Sequence, residues 1–218
     1  MKSLPKTQVW RRVGRTLNRQ GSDNMLEWIR EDWDFYRSFR HRAFWAMLLF
    51  RYGQWSLRLP SPPLRWLTGK VYGFLRIFSP IFTGIAIDRG MRVGHRFHIV
   101  HAGGITINPG VTFGNRCGIM HNVTVGTNMD KPGCPQIGDD VFIGAGAVVV
   151  GNIKIGDGAL IAANSLVFFD VPEDALAMGV PAVIYPGKSR LRRPAREATA
   201  ALIRDVDTET QPPPAKAA

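Results

Sequence analysis

Cysteine and long uncharged apolar runs are both scarce in this chain of 218 residues. Cys117 and Cys134 are the only cysteines, too few for the disulfide framework of a small secreted protein. The two most apolar segments, residues 44–59 and 66–78, are each interrupted by two basic residues, whereas a membrane span needs about 20 nearly uncharged residues. The first residues also lack the apolar run of a signal peptide. We therefore expect a cytoplasmic protein.

Acidic residues are scarce in the first part of the chain. Residues 1–96 carry 18 Lys or Arg against 6 Asp or Glu, whereas residues 97–218 carry 10 against 11, so the whole net charge of +11 lies in the first part. No nucleic-acid-binding motif accompanies these charges, and we expect no nucleic-acid partner. Two interpretations stay open. The basic residues form a solvated helical face, or they hold the protein peripherally at the inner membrane surface, because they alternate with large apolar residues.

The first part of the chain has the apolar period of helices. Apolar residues recur at three- and four-residue spacings from Leu26 to about Arg58, which predicts one helix, and a second is predicted from Leu64 to about Phe78. The prolines that follow each segment predict the two helix ends, the second at Pro80. The predicted domains are a loose basic N-terminus (1–25), a helical domain (26–84), a β-helix (85–186) and a basic, Pro-rich C-terminal tail (187–218).

A six-residue repeat replaces the helical period after Gly84. Aliphatic residues recur at every sixth position from Ile137, namely Ile137, Ile143, Val149, Ile155, Ile161 and Val167. Such hexads are typical of a parallel β-helix, in which three hexads close one triangular coil and neighbouring coils bury each other's faces. The fold class predicted is therefore α+β, with N-terminal helices followed by a parallel β-helix of hexapeptide repeats.

The repeat is interrupted twice upstream. Between Ile99 and Ile107 the step is eight residues, so two extra residues fall at the sequence "HAGG". At residues 127–136 no aliphatic residue marks the expected position, and Gly and Pro are frequent. The second interruption predicts a loop that leaves the coil.

Two histidines share one position in the repeat. His101 is the second residue after Ile99, and His121 is the second after Ile119. Their spacing exceeds three hexads only by the two inserted residues, so both imidazoles should occupy the same corner on successive coils, about 5 Å apart at the backbone. Counting three further hexads places Asp139 at the same corner. We therefore predict a cleft formed by the two histidines, this carboxylate and the loop.

Other reactive side chains have simpler interpretations. His95 and His98 have no such neighbours and are interpreted as structural or solvated. Cys117 occupies an inward repeat position, which predicts a core thiol rather than a nucleophile. The histidines lack further ligands at a suitable spacing, so we expect no metal.

Several motifs carry a resemblance to a known family. The hexads "IGDDVFIGAGAVVVGNIKIGDGALIAANSLV", the closing "VPEDALAMGVPAVI", and the segments "HIVHAGGITI" and "MHNVTVG" resemble the serine acetyltransferase branch of the hexapeptide acyltransferases. The resemblance covers about residues 26–188. It is closer still to the serine-acetyltransferase-like enzymes of exopolysaccharide clusters, of the colanic acid type, which share the "HNVTVG" and "CPQIG" segments.

The resemblance implies a left-handed β-helix, a homotrimer, and acetyl-CoA as the donor substrate. It also implies a catalytic base at His101. His121 is the second candidate catalytic residue, because the repeat stacks it on His101. Imidazole has a pKa near 6.5 and can take a proton from a hydroxyl at neutral pH. By the same resemblance the pantetheine arm lies along Ala145 and Ala163. Lys188 could meet a phosphate of the cofactor, although "GKSRLRR" also fits a solvated basic tail.

Four positions depart from the family pattern. Serine acetyltransferases place an aspartate for the serine amine where this chain has Val100, and an arginine and a histidine where it has Gly133 and Cys134. The aspartate that orients the catalytic imidazole corresponds to Ala86. A zwitterionic acceptor would lack partners for its charges, which would cost several kcal/mol in a cleft.

Because of these departures, we expect an O-acetyltransferase whose acceptor is a sugar hydroxyl of an exopolysaccharide or its lipid-linked precursor. Serine O-acetylation for cysteine biosynthesis is the first alternative. A non-catalytic hexapeptide scaffold is the second.

Overall fold

The computed structural model describes residues 25–128 and 132–191. The predictions for the N-terminal residues 1–24, for residues 129–131 of the loop and for the tail beyond residue 191 lie outside these ranges. The described chain begins with three helices, which are α1 (Met25–Tyr36), α2 (Arg42–Arg58) and α3 (Pro62–Thr83).

The single helix predicted from Leu26 to Arg58 is wrong, because the structure divides it into α1 and α2. Arg37 adopts the left-handed backbone conformation, with φ of 47°, and its N–H donates to the carbonyl of Trp33 at 2.8 Å. The chain resumes helical geometry after His41, which precedes the first residue of α2. The apolar period continues across this break, so the period alone did not reveal it.

Helix α3 is longer than predicted at both ends. Pro62 and Pro63 lie in its first turn, where a missing N–H leaves no hydrogen bond unmade. Pro80 lies inside the helix instead of ending it. The helix ends at Gly84, which has φ of 68° and donates its N–H to the carbonyl of Pro80 at 2.9 Å.

Fifteen short strands follow the helices in the described chain. They are β1 (Ile85–Ala86), β2 (Arg92–Val93), β3 (His98–Ile99), β4 (Ile105–Ile107), β5 (Thr112–Phe113), β6 (Gly118–Ile119), β7 (Thr124–Gly126), β8 (Gln136–Ile137), β9 (Phe142–Ile143), β10 (Val148–Val150), β11 (Lys154–Ile155), β12 (Leu160–Ile161), β13 (Leu166–Val167), β14 (Leu176–Gly179) and β15 (Ala182–Tyr185). A 3₁₀ helix at Lys188–Leu191 ends the described chain.

The strands form the three faces of a prism. Face 1 contains β1, β4, β7, β10 and β13, face 2 contains β2, β5, β8 and β11, and face 3 contains β3, β6, β9, β12, β14 and β15. Neighbouring strands are parallel, except for the antiparallel pair β14 and β15. This is a left-handed parallel β-helix, and the predicted fold class is confirmed.

Strand pairing locates both interruptions of the repeat. Ile99 pairs with Ile119, as expected for a coil of three hexads with a two-residue insertion. The next coil is longer, because Ile119 pairs with Ile143 and a whole hexad more than usual lies between them. The loop therefore adds the equivalent of one hexad to the three of a regular coil.

The core consists of the inward residues of the hexads. The aliphatic residues that define the repeat are nearly all buried. Cys117 lies among them, and burial raises the pKa of its thiol to about 12, so the prediction of a core thiol is confirmed. Among residues 25–128 and 132–191, none of the helices has the length and apolar character needed to span a bilayer.

Helix α1 is attached to the β-helix through Tyr36. The buried Tyr36 hydroxyl donates to the carbonyl of Ile99 at 3.0 Å and accepts from the N–H of the same residue at 2.9 Å. Strand β3 is at the edge of face 3, so Ile99 has no neighbouring strand on that side within the described chain. The hydroxyl therefore completes the backbone hydrogen bonding two residues before His101.

Candidate active site

His101 and His121 lie together at one corner of the prism, between face 3 and face 1. His101 follows β3 and His121 follows β6, and their ring centroids are 5.8 Å apart with an angle of 64° between the planes. Both rings are partly buried. The structure thus brings the two sequence-predicted histidines together, and we call this edge the histidine corner.

Glycine makes the turn after His101 compact enough for this stacking. Gly103 and Gly104 both have positive φ, at 125° and 62°. A Cβ on Gly104 would collide with the side-chain oxygen of Asn122, whose N–H donates to the carbonyl of Gly103 at 2.8 Å. The "HAGG" insertion therefore fits tightly against the coil that carries His121.

Asp139 is not at the histidine corner, and the sequence-based prediction that placed it there is wrong. The longer coil shifts the register, so the residue after His121 in this column is Ala145, as the pairing of Ile119 with Ile143 requires. Asp139 lies at the corner between faces 2 and 3. There its carboxylate accepts from the N–H of Asn115 at 2.8 Å.

A third imidazole, that of His41, was missed by the sequence analysis. It lies just before helix α2 and is close enough to His101 to influence its proton equilibrium. Its Nε2 atom and Nδ1 of His121 are buried and have no hydrogen-bond partner among the described residues. No sequence signal pointed to His41, because it is far from His101 in the chain and outside the hexapeptide register.

The environment of His101 favours its neutral form. Burial is the largest cause that lowers its pKa from 6.5, and the imidazoles of His121 and His41 lower it further. A neutral imidazole at neutral pH retains a lone pair that can accept a proton. The corner therefore provides a base, and among the described residues no group of His, Cys, Asp and Glu is arranged to hold a metal ion.

Replacing His121 with alanine should raise the pKa of His101. The change removes one of the two neighbouring imidazoles whose charge opposes protonation of His101. The measurement is an NMR titration of the His101 ring, whose midpoint should lie below 6.5 in the wild type and move upward in His121→Ala. His95→Ala is the matched control, because His95 contacts Glu31 at 3.2 Å at another corner. An unchanged midpoint in His121→Ala would contradict the electrostatic coupling.

The three residues predicted to bind acetyl-CoA divide into two groups by their position on the prism. Ala145 follows β9 and Ala163 follows β12, so both lie in the same column as the histidines, and the N–H of Asn164 donates to the carbonyl of Ala145 at 2.8 Å. Ala145 is half-buried and Ala163 is exposed. Lys188 is not in this column. Its neighbour Ser189 donates its N–H to the carbonyl of Asp174 at the corner between faces 2 and 3.

The loop that leaves the coil is at the third corner, between face 1 and face 2. It connects β7 to β8, and Cys134 in its described part donates its thiol to Oδ1 of Asn108 at 3.4 Å. The expectation that this loop covers the two histidines within one chain is therefore wrong. Consecutive coils stack directly, so the described residues of the loop and the two histidines are on separate edges of the same prism.

The comparisons with known proteins agree with this architecture. Residues 134–168 match a family model described as bacterial transferase hexapeptide (six repeats). This part of the β-helix is therefore similar to the hexapeptide repeats of bacterial transferases. The chain is 36% identical over 130 residues to a serine acetyltransferase of Bacillus subtilis (strain 168), and this match covers 57% of the chain and 60% of that protein. The chain spans about half the length of the curated relatives it matches.

Two solved structures illustrate the structural likeness. A serine acetyltransferase in complex with CoA aligns with a TM-score of 0.63 at 26% identity, covering 74% of this chain and 69% of that one. A soybean serine acetyltransferase complexed with serine aligns with a TM-score of 0.64 at 28% identity, covering 75% of this chain and 70% of that one. These matches support the predicted resemblance to hexapeptide-repeat transferases. They do not support the finer resemblance to exopolysaccharide acetyltransferases.

Proposed function

We propose that this protein is an acetyl-CoA-dependent O-acetyltransferase of the serine acetyltransferase type. The observation that carries the proposal is the placement of His101, a base with a lowered pKa, in one column with His121, Ala145 and Ala163. The similarity to a serine acetyltransferase solved with CoA supports acetyl-CoA as the donor. This similarity supports the earlier alternative of serine acetylation better than it supports sugar acetylation.

His101 is the general base in the proposed reaction. Its neutral ring accepts the proton of the acceptor hydroxyl while the hydroxyl oxygen forms a bond to the carbonyl carbon of the thioester. The resulting tetrahedral intermediate collapses as the carbon–sulfur bond breaks, and the imidazolium returns the proton to the departing thiolate. The products are an acetyl ester and free CoA. The buried Cys117 takes no part in this reaction, since its raised pKa keeps the thiol protonated.

The donor lies along the histidine corner in this proposal. Ala145 and Ala163 have small side chains, so an extended pantetheine arm can approach the backbone of both coils. Gly144 shows how tightly these coils stack, because a Cβ there would lie 2.6 Å from the backbone nitrogen of Ala163. Lys188 lies at a different corner, so it would reach a phosphate of this donor only from a neighbouring protomer.

L-Serine is the first acceptor to consider, and a sugar hydroxyl is the second. The similarity to a soybean enzyme complexed with serine supports the first. The second is favoured by the uncharged residues Val100, Gly133 and Cys134, since a buried ammonium or carboxylate without a partner is strongly unfavourable. Both acceptors use the same base and the same donor.

Release of free CoA thiol from acetyl-CoA tests the activity and identifies the acceptor. We expect release on addition of L-serine, with kcat/KM in the ordinary enzyme range of about 10⁴ M⁻¹s⁻¹ or more. A soluble oligosaccharide and a membrane fraction carrying lipid-linked glycans are the parallel acceptors. Turnover with glycans and none with L-serine would identify a sugar hydroxyl, rather than L-serine, as the acceptor. No release with any acceptor would contradict the enzymatic proposal and favour a scaffold.

We also propose that the active unit is a homotrimer. The histidine corner and the loop corner are separate edges of one prism, so a loop residue reaches a histidine only when two prisms lie side by side. Light scattering should give about three times the chain mass of 24.2 kDa. A mass near one chain in an active preparation would contradict the trimer.

A further inference from the structure

Helix α3 has its apolar residues on the outside. Ten large hydrophobic residues of this helix are between 39% and 72% exposed. They are Leu64, Trp66, Leu67, Val71, Phe74, Leu75, Ile77, Phe78, Ile81 and Phe82. Single exposed apolar residues are common on protein surfaces, but so many on one helix indicate an interaction surface. We call these ten residues the apolar face of α3.

The opposite side of α3, which packs on the protein, is mainly small or polar. The residues that are buried or half-buried are Thr68, Gly69, Tyr72, Ser79 and Thr83. Tyr72 lies so close to α2 that a Cβ on Gly53 would be 2.5 Å from its ring. The polarity of the helix is therefore inverted with respect to its own domain, because an amphipathic helix normally turns its apolar stripe inward.

Basic residues predominate in the chain around the apolar face, although Arg51 is buried against Asp32 and Arg76 pairs with Asp88 at 3.2 Å. Between residues 37 and 87 there is no Asp or Glu, and there are eight basic residues, namely Arg37, Arg40, Arg42, Arg51, Arg58, Arg65, Lys70 and Arg76. Three of these belong to α3 itself. The ammonium of Lys70 lies 5.7 Å from the ring centre of Trp66 on the outer surface, a pairing of a basic group with an aromatic ring that suits the headgroup region of a bilayer.

We propose that the apolar face of α3 inserts into the surface of a membrane that contains anionic lipids. Aromatic and aliphatic side chains would enter the boundary between headgroups and acyl chains, while Arg65 and Lys70 meet lipid phosphates. A second copy of this chain is a less suitable partner for the apolar face. A two-fold symmetric contact between two α3 helices would bring the same basic residues of both helices together. The helix lies in the surface plane, as no described helix is suited to cross the bilayer.

The C-terminal end of α3 lies next to the histidine corner. A Cβ on Gly84, the residue that ends the helix, would be 2.7 Å from Cα of Gly103 in the turn after His101. A membrane bound to Ile81 and Phe82 would therefore lie near the end of the prism that carries this histidine. Membrane binding itself does not depend on the proposed acetyl transfer.

Sedimentation of the full chain with lipid vesicles tests the proposal. The probes are vesicles of phosphatidylcholine alone and vesicles with about one-third phosphatidylglycerol. We expect at least about tenfold stronger partition onto the anionic vesicles, and a fall of about 25-fold in the double variant Arg65→Gln, Lys70→Gln, because each basic residue near the surface contributes about fivefold. About 0.5 M NaCl should weaken binding by screening these charges.

Variants of the apolar face separate insertion from charge attraction alone. Phe74→Ser, Phe78→Ser and Phe82→Ser together should lower partition onto anionic vesicles by about 100-fold or more. The matched triple variant Phe168→Ser, Val180→Ser, Val183→Ser removes three exposed apolar residues from the β-helix and should bind like the wild type. Circular dichroism melting curves establish that each variant is folded.

Two outcomes would overturn the proposal. The first is equal partition of the wild type onto neutral and anionic vesicles, or none onto either. The second is an unchanged partition of the triple phenylalanine variant onto anionic vesicles together with a lower light-scattering mass for this variant, which would assign the apolar face to a second copy of the chain.

Discussion

His101→Ala should lower kcat for acetyl transfer by about 10²- to 10⁴-fold, the usual effect of removing a general base. Acetyl-CoA affinity should change little, because the proposed donor contacts are at Ala145 and Ala163 on other coils. Thiol release at saturating acetyl-CoA measures the first quantity, and calorimetric titration with CoA measures the second.

His98→Ala is the matched control for this experiment. His98 lies three residues earlier on β3, but its ring packs on Phe35 at 4.4 Å and contacts the carbonyl of Arg96 at 3.2 Å. We expect a change in kcat of less than about threefold, as for a residue outside the reacting groups. Loss of CoA affinity in His101→Ala with unchanged turnover at saturation would show that His101 binds the donor and is not the base.

Asp32→Ala should lower the free energy of unfolding by about 3 to 5 kcal/mol, because it leaves a buried guanidinium without its carboxylate. Arg51 Nε lies 3.2 Å from Oδ2 of Asp32, and the two side chains are only 1% and 4% exposed. The pair joins α1 to α2. Denaturant unfolding followed by tryptophan fluorescence measures the effect, and Arg65→Ala on the exposed side of α3 should change stability by less than about 0.5 kcal/mol.

The double variant Asp32→Leu, Arg51→Met should be less destabilised than Asp32→Ala. Burial raises the pKa of Asp32 even though Arg51 opposes the shift, so the desolvation of this carboxylate exceeds the attraction that it gains. Nη2 of Arg51 is also buried and has no hydrogen-bond partner among the described residues. Apolar side chains of similar size avoid both penalties. A double variant that is less stable than Asp32→Ala would contradict this explanation.

The β-helix was predictable because the hexad is a local pattern with a strict period. Each inward aliphatic residue, such as Ile143 or Ile161, is buried between the coils above and below it. The pairing of His101 with His121 followed from the same period once the insertion at "HAGG" was counted. The error at Asp139 arose because the loop lengthens one coil by a hexad, and only strand pairing reveals how many of its residues belong to the coil.

The helical part was less predictable from its sequence. The break at Arg37 depends on a single residue in the left-handed conformation, and the apolar spacing runs through it without a change. The continuation of α3 past Pro80 also contradicted a rule that is usually sound, because a proline near the end of a helix removes only one hydrogen bond. The apolar period of α3 was visible in the sequence, but it did not show that this face points away from the protein.

The sequence by itself determined the hexapeptide β-helix, the stacking of His101 with His121 at one corner, and the excess of basic charge in the first part of the chain. The tertiary structure alone decided that His41 joins the two histidines, that the loop and Lys188 lie at other corners, and that α3 exposes its apolar face. The physical reason is the range of the interactions. Hexads and helical periods record contacts between residues one turn or one coil apart, whereas the docking of helices on the prism depends on contacts such as Tyr36 with Ile99, 63 residues apart in the chain.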